Sequence, residues 1–350
     1  MERNMHTVSI AMATCNGARF ITEQLESLSR QTVLPSELVI TDDCSTDDTL
    51  ALVAAFAARA PFPVRVECNA NQLGFRANFM KAAGLCQSEF IAFSDQDDVW
   101  LPDKLEACLA AFTHDDVLLA YHNVTVVSGE LKPLATFDRH GAPRTVNPPN
   151  SVHPSLFILG MTLVVRSHLR RFSGHWPETS NLFNASEVEA HDQWFFFLAS
   201  CMGTIAYIAK PLALYRRHGG NATVWARNFG VPSQMDHVKV TDLTNFRSRE
   251  ISAGKRAYIL ERLQNELAEP QKARVKAAAI GYRKLETSYR LRQKLYRSDD
   301  IVSRTRQLIA SLCAGVYLPG RQWGAGRRAL ARDIVRGVIL PVSERPGCAH

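Results

Sequence analysis

The sequence predicts an α/β fold: an open mixed sheet with helices on both faces, followed by a basic helical appendage. Three observations carry this. Short apolar runs alternate with amphipathic stretches through the first hundred residues, polar and acidic residues follow each apolar run, and charge is unevenly split along the chain. Strands that are apolar throughout are buried on both faces, as in parallel sheets whose crossover connections are helices.

The elements follow in order. Residues 8–13 form an apolar run suited to a buried strand, and Cys15-Asn16-Gly17 turns the chain into a helix with Phe20, Ile21, Leu25 and Leu28 on one face. Residues 37–41 (ELVIT) give a second strand, and a helix over 49–59 follows, with Ser45 or Asp47 as its N-cap. Residues 64–67 read as a strand, 75–85 as a helix, 89–94 as a fourth strand and 104–112 as a helix. A strand is expected over 117–127, a Pro-, Gly- and Asn-rich loop over 130–155, and a strand over 157–165 around Gly160. The pattern continues with a helix over 192–202 and two short strands over 204–215, broken at Pro211. Beyond Gly230 the chain reads as helical. The expected domains are 1–228 and 229–350.

With 350 residues, 46% of them hydrophobic, the chain is long enough for one large α/β domain and an appendage. The N-terminus lacks the basic-then-apolar order of a signal peptide. Its longest apolar stretch, 308–318, is about half of the ~20 residues that span a bilayer. Eight cysteines without a C-x-x-C pair fit reduced thiols, so a cytoplasmic location is expected. After Gly230 there are 23 Lys and Arg against 11 Asp and Glu, whereas before it there are 18 against 23. A basic appendage suits an anionic partner; a membrane surface is expected, and no nucleic acid. Leu330, Ile334 and Val338 would share one helix face, with Arg328, Arg332 and Arg336 nearly opposite. A helix packed on the rest of the chain with a solvated basic face fits the same spacing. Val275, Ala279, Tyr282, Leu285, Tyr289 and Tyr296 also follow helical spacing.

In open parallel sheets, ligands bind beyond the carboxyl ends of the strands. Here those ends carry Thr14-Cys15-Asn16, Asp42-Asp43, Asn69 and Asn71, and Asp95-Gln96-Asp97-Asp98. Carboxylates one residue apart at a strand end can converge on a hard cation that also takes phosphate oxygens. The same acids also suit a turn capping the helix that begins near Leu101-Pro102. A carboxylate at Asp42 or Asp43 can accept from a base N–H or a ribose hydroxyl. No G-x-G-x-x-G follows the first strand and no G-x-x-x-x-G-K-[ST] occurs, which disfavours dinucleotide dehydrogenases and P-loop NTPases.

Four blocks together, Val8-Ser9-Ile10 with Thr14-Cys15-Asn16-Gly17, Asp42 to Asp47, Asn71-Gln72-Leu73-Gly74 with Asn78-Phe79, and Ser94 to Lys104, resemble family 2 glycosyltransferases in order and spacing. His191-Asp192-Gln193-Trp194 and the segment from Leu214 to Asn221 resemble the rhamnosyltransferase-like branch. The likeness covers roughly two thirds of the chain. It implies a GT-A fold, Rossmann-like in its nucleotide-binding half, and an inverting sugar transfer. It implies nucleotide contacts from Thr14, Asn16, Asp42, Asp43, Gly74, Asn78 and Asp95; Arg76, by its own chemistry, could reach a base or phosphate or stand as a solvated helix residue. It further implies Mg²⁺ or Mn²⁺ at Asp95 and Asp97, with His218 reaching the metal or diphosphate, and Asp192 as catalytic base. The implied donor is a nucleotide-diphosphate sugar, dTDP-rhamnose in preference to a UDP-hexose or UDP-aminohexose. The implied acceptor is a saccharide, lipid-linked in bacterial surface polysaccharide synthesis, which would place the enzyme on the inner face of the cytoplasmic membrane. An inactive nucleotide-sugar-binding subunit would share these motifs. Cys44 departs from the family, which has Gly there; a position needing φ > 0 would be strained by Cys. Arg76 stands where smaller or apolar residues are usual.

Overall fold

The computed structural model describes residues 6–137, 145–156, 158–219, 243–318 and 322–339. The expected boundary between 228 and 229 lies outside these residues, as do Gly220 and Asn221 of the later motif. The described chain forms two compact units. One holds the described residues of 1–149, 156–174 and 190–232, and the other those of 150–155, 175–189 and 233–350.

The first unit alternates as its apolar runs require. Its elements are β1 (Val8–Thr14), α1 (Ile21–Ser29), β2 (Glu37–Asp42), α2 (Thr49–Ala57), β3 (Val64–Cys68), α3 (Phe75–Leu85), β4 (Phe90–Ser94), β5 (Val99–Trp100) and α4 (Lys104–Ala110). β6 (Val117–Val127), β7 (Pro133–Phe137), β8 (Val146–Asn147), β9 (Leu163–Arg166), α5 (His191–Met202) and β10 (Thr204–Arg216) complete it. The strands form one sheet in the order β3-β2-β1-β4-β9-β6-β10-β5, with β7 beside β6 and β8 beside β10. β3, β2, β1 and β4 run parallel, β9 is antiparallel to β4 and β6, and β10 returns parallel to β6. Ile10, Met12, Leu38, Ile40, Phe90 and Ala92 on the central strands are fully enclosed. β3 is the edge strand and bears charge, Arg65 pairing with Glu37 and Glu67 with Lys81, as befits an edge that must not recruit another strand.

Three expected elements differ. The loop over 130–155 contains β7 and β8, two short strands that the Pro and Gly content obscured. The strand over 157–165 is instead a 3₁₀ turn, Gly160–Thr162, followed by β9. Pro211 does not divide 204–215; β10 continues past it through shifts in register against β6, which absorb the missing N–H.

The second unit is helical: α6 (Leu243–Leu263), α7 (Gln271–Arg297), α8 (Ile301–Cys313) and α9 (Gly326–Arg332), with a π-helix over Asp333–Ile339. The predicted stripe of α7 is its buried face: Val275, Ala279, Tyr282, Leu285, Tyr289 and Tyr296 are all enclosed. Two buried ion pairs pin this unit. Arg256 Nε donates to Glu189 at 2.6 Å, and Arg292 binds Asp333 through Nε and an Nη at 2.6 and 3.0 Å. Tyr296 and Tyr317 also donate to Asp333. The segment of Leu330, Ile334 and Val338 with Arg328, Arg332 and Arg336 is α9 followed by the π-helix, so the helical repeat changes at Asp333; Ile334, Arg328 and Arg336 are exposed, and Leu330, Val338 and Arg332 are partly buried. Among the described residues no helix is long and apolar enough to cross a membrane.

Candidate active site

The parallel strands end together, and their loops are stitched to one another by side chains. After β1 and β2, the amide of Asn16 donates to Ser45 Oγ, that of Gly17 to Thr49 Oγ1 and that of Ala18 to Asp47. Asn16 returns a bond by accepting from the Thr46 amide at 2.8 Å. The N-cap of α2 is Asp48, not Ser45 or Asp47 as expected, and its side chain makes no capping bond; Asp47 accepts from the amide of Thr49, the first residue of α2. Thr14 donates to Asp42 at 2.7 Å, and Ser45 donates to the same carboxylate through its hydroxyl and its amide.

Asp43 orders the entry to α3. Its carboxylate accepts from Asn69 Nδ2 and from the amides of Leu73 and Gly74, at 2.7 to 2.9 Å. Gly74 has φ of 79°, open to glycine without strain. Asn78 is buried and donates to the carbonyls of Thr14 and Thr41, tying α3 to β1 and β2. Asp42 and Asp43 are themselves buried, and each keeps one carboxylate lone pair beyond these bonds. Arg76 lies over the Phe75 ring, 4.6 Å from its centroid, and is partly exposed. Cys44 adopts φ of 63°, the left-handed conformation that its departure from glycine made critical, and its thiol donates to the Asn69 carbonyl.

The acidic loop between β4 and β5 is held from both sides. The Gln96 amide pairs with both the N–H and the carbonyl of Cys15, at 2.9 and 3.0 Å. A Cβ on Gly17 would fall 2.3 Å from Gln96 Oε1, so only glycine permits this approach. From the other side, the end of β10 delivers Arg216. Its backbone N–H donates to Asp98 Oδ1 at 2.9 Å, and its Nε donates to the Asp97 carbonyl at 2.8 Å. Its guanidinium also binds Glu23 and stacks over Phe20. Two residues on, His218 Nε2 lies 2.7 Å from Asp97 Oδ2, and its ring rests against Phe20.

Four carboxylates thus crowd one place. Burial, then the charges of Asp97 and Asp192, push the Asp95 carboxyl up to about 8, although part of its surface remains open. Burial, with Asp97 and Asp95, also raises Asp98 well above the usual carboxylate range. The counter-charge is Lys104 at the start of α4, fully buried over the Trp100 ring and donating to the Met161 carbonyl at 2.8 Å. Burial holds its ammonium well below its ordinary pKa, against the attraction of Cys108, Asp98 and Asp95.

α5 brings the last acid. His191 is enclosed between Phe79 and Phe93, with centroids 3.9 and 4.7 Å away, and it faces Gly160 closely enough to forbid a Cβ there. Burial pushes the imidazole down to about 3. This apolar anchor sets the first turn of the helix, where Asp192 accepts from the Gln193 amide at 2.7 Å. Asp192 is close enough to Asp95 for their charges to oppose each other.

Asp95, Asp97 and His218 offer two carboxylates and an imidazole, donors suited to Mg²⁺ or Mn²⁺. The crowding fits such an ion, since a cation would hold Asp95 ionised where burial and its neighbours protonate it. Among the described residues no three His, Cys, Asp or Glu side chains are placed to hold a metal ion together, so an ion here would need ligands from phosphate and water.

The structure therefore gathers Asp95, Asp97, His218 and Asp192 in one region. It uses the side chains of Thr14, Asn16, Asp42, Asp43 and Asn78 to shape the loops beside that region. Gln96, Asp98, Lys104 and Arg216 lay inside the quoted motifs without an assigned role. Their signal was a lysine and an arginine in strongly acidic or apolar company, where a cation needs a partner.

Residues 9–166 match the model of Glycosyl transferase family 2. An uncharacterised glycosyltransferase of Nostoc sp. is 27% identical over 232 residues, covering 61% of this chain and 66% of its own length. The dTDP-rhamnosyl transferase RfbG of Shigella flexneri is 28% identical over 221 residues, covering 60% of this chain and 72% of its own length. The first of these is thus spanned over slightly less than two thirds of its length. Among solved structures, S. aureus TarS 1–349 in complex with UDP-GlcNAc superimposes with a TM-score of 0.50 at 18% identity, over 94% of this chain and 85% of that one. That likeness establishes the shared fold.

Proposed function

We propose, from the premise that residues 9–166 are a family 2 glycosyltransferase domain, that this protein is an inverting transferase moving a sugar from a nucleotide-diphosphate donor to a saccharide hydroxyl. The observation that carries the reading is the cluster of Asp95, Asp97, His218 and Asp192, a candidate metal-diphosphate grip with a separate carboxylate on the first turn of α5. The catalytic domain is read as 1–228 and the helical, basic region as 229–350.

In this reading, Asp95, Asp97 and His218 would hold Mg²⁺ or Mn²⁺. When bound, the ion supplies neutralisation of the negative charge that gathers on the departing diphosphate. Asp192 takes the proton of the acceptor hydroxyl as that oxygen attacks the anomeric carbon from the face opposite the leaving group. Arg216 holds the acidic loop in shape through Asp97 and Asp98, so its carboxylates need not reorganise during transfer. Asp43 orders the amides of Leu73 and Gly74, and with Thr14, Asn16, Asp42, Asn78 and Arg76 it frames the nucleotide. Cys44 does not by itself argue for an inactive binding subunit, because its loop keeps its bonds to Asn69 and Asp42.

The favoured donor is dTDP-rhamnose, on the ground that the RfbG relative bears that activity in its name. The favoured acceptor is a lipid-linked saccharide at the inner face of the cytoplasmic membrane, in surface polysaccharide synthesis. Purified protein incubated with a panel of dTDP- and UDP-sugars, with and without Mn²⁺, tests this directly. Metal-dependent donor turnover confined to dTDP-rhamnose supports the full reading. Turnover of a UDP-hexose moves the donor assignment while keeping the transferase, and binding without turnover leaves only a nucleotide-sugar-binding subunit.

A further inference from the structure

We infer that the outward face of α8 is a docking surface for an anionic lipid membrane. A helix on a globular surface normally turns its apolar side inward and its polar side to water. α8 does the reverse. Ile301, Val302, Ile309 and Leu312 fall on one face by helical spacing and are between 47% and 61% exposed. The buried side of the same helix carries Arg304 and Ser311. The Arg304 guanidinium is spent inward, donating to the carbonyls of Ser298, Asp299 and Val338. The π-helix over Asp333–Ile339 packs against α8 and adds exposed Ile334, Val335 and Ile339, while Leu318 is exposed just beyond the helix. Such a run of exposed aliphatic side chains marks a surface that has a partner.

Charge selects the partner. On α8 and on α7 and the π-helix, which pack against it, Arg306, Lys294, Arg297 and Arg336 are exposed, and α9 beside the π-helix adds Arg327 and Arg328, against exposed Asp299 and Asp300. Aliphatic side chains within a basic rim match the boundary between anionic headgroups and acyl chains, where an amphipathic helix lies flat. The face centres on α8 and shares Ile334, Arg328 and Arg336 with the stripe that spacing suggested along 328–338; among the described residues no helix is long and apolar enough to cross a membrane. The inference deepens the reading of a lipid-linked acceptor and rests on that reading only for its purpose.

Deleting the C-terminus would not test it, because losing Asp333 strips the buried Arg292 of its carboxylate. Point variants of the full chain serve instead, floated with vesicles of phosphatidylcholine alone or mixed with the anionic lipid phosphatidylglycerol. The wild type should float with the anionic vesicles and be released by high salt. Ile309→Glu/Leu312→Glu should lower vesicle binding at least about tenfold, and Arg306→Glu/Arg336→Glu should abolish the preference for anionic lipid. Val66→Glu, on an exposed strand edge, should change neither. Helicity by circular dichroism checks folding, and the milder Ile309→Ser replaces any variant that fails to fold. Unchanged flotation of the α8 variants, or equal binding to neutral and anionic vesicles, overturns the inference. It is equally overturned if the wild type ignores vesicles and runs as a dimer that the double variant splits, since the face then joins two copies. Donor turnover is measured alongside, so loss of turnover with vesicle binding intact counts against the transferase reading alone.

Discussion

His218 Nε2 meets Asp97 Oδ2 at 2.7 Å, joining the end of the last strand to the acidic loop across 121 residues of sequence. The contact fixes the Asp97 carboxylate in one orientation whether the imidazole binds the metal or only the carboxylate. His218→Ala should raise the Mn²⁺ concentration needed for half-maximal donor turnover by about 10–100-fold, the range for losing a group that orients a metal ligand. Excess metal should restore most of the rate. A metal titration that superimposes on the wild type would remove His218 from the site.

Cys44 gives a stability test. With φ of 63°, it bears a side-chain strain that glycine lacks, and its thiol returns only a weak bond to the Asn69 carbonyl. Cys44→Gly should therefore be about 0.5–1 kcal/mol more stable than Cys44→Ala, which keeps the strain and loses the same bond. Thermal melts of the two variants decide it, and a less stable glycine variant would mean that the loop is not strained.

The fold was legible where burial made the pattern simple. β1, β2, β4 and β6 are enclosed, so their apolar runs stand out, and the helix over 75–85 emerged with its observed ends. β7 and β8 were hidden because short antiparallel strands at the margin of a sheet tolerate Pro and polar residues. At the site, Asp95, Asp97, Asp192 and His218 were named from strand ends and motif order, whereas Asp98 carried no role there. What was not readable was the work of Asp43, Asn78 and Gln96, whose bonds run to backbone atoms far away in sequence. The outward apolar face of α8 was equally hidden, since periodicity reveals an amphipathic helix but not which side meets the protein.

His191 predicts an acid-sensitive fold. Burial holds its imidazole at about 3, below its ordinary value of 6.5, so between those values the folded protein binds fewer protons than the unfolded chain. Its contribution is complete above pH 6.5 and is lost as pH falls from there toward 3, at up to about 1.4 kcal/mol per pH unit. His122, pushed to about 3, and His153, pushed to about 4, both chiefly by burial, act in the same direction. His191→Gln should reduce the slope of unfolding free energy against pH by up to one proton between pH 4 and 6, whatever it does to stability at neutral pH. An unaltered slope would show that His191 titrates normally.

The buried Arg292–Asp333 pair should govern the helical unit. Asp333→Ala leaves Arg292 and two tyrosine hydroxyls without their common acceptor, a loss of about 3–5 kcal/mol for a broken buried pair. Denaturant unfolding should show it as a lowered midpoint. A change below about 1 kcal/mol would mean that water replaces the carboxylate there.

Asp192 is the sharpest test, because its proposed role and its structural role can be separated. A hydroxyl is a poor nucleophile at neutral pH, and a carboxylate within reach of its proton contributes about 10²–10⁴ in rate. The side chain also accepts from the Gln193 amide at the start of α5, which an asparagine oxygen can still do. Asp192→Asn therefore removes the base while keeping the helix start. It should lower kcat by about that factor with donor affinity and melting temperature nearly unchanged, since the proposed diphosphate grip uses Asp95, Asp97 and His218 instead. Removing its charge also relieves Asp95, whose carboxyl Asp192 helps to raise, so donor affinity should not fall. Glu189 is no replacement base: it is fully buried and bound to Arg256. A variant with a near-wild-type rate would place the base outside α5, and one that loses its fold would leave Asp192 with only the helix-start role.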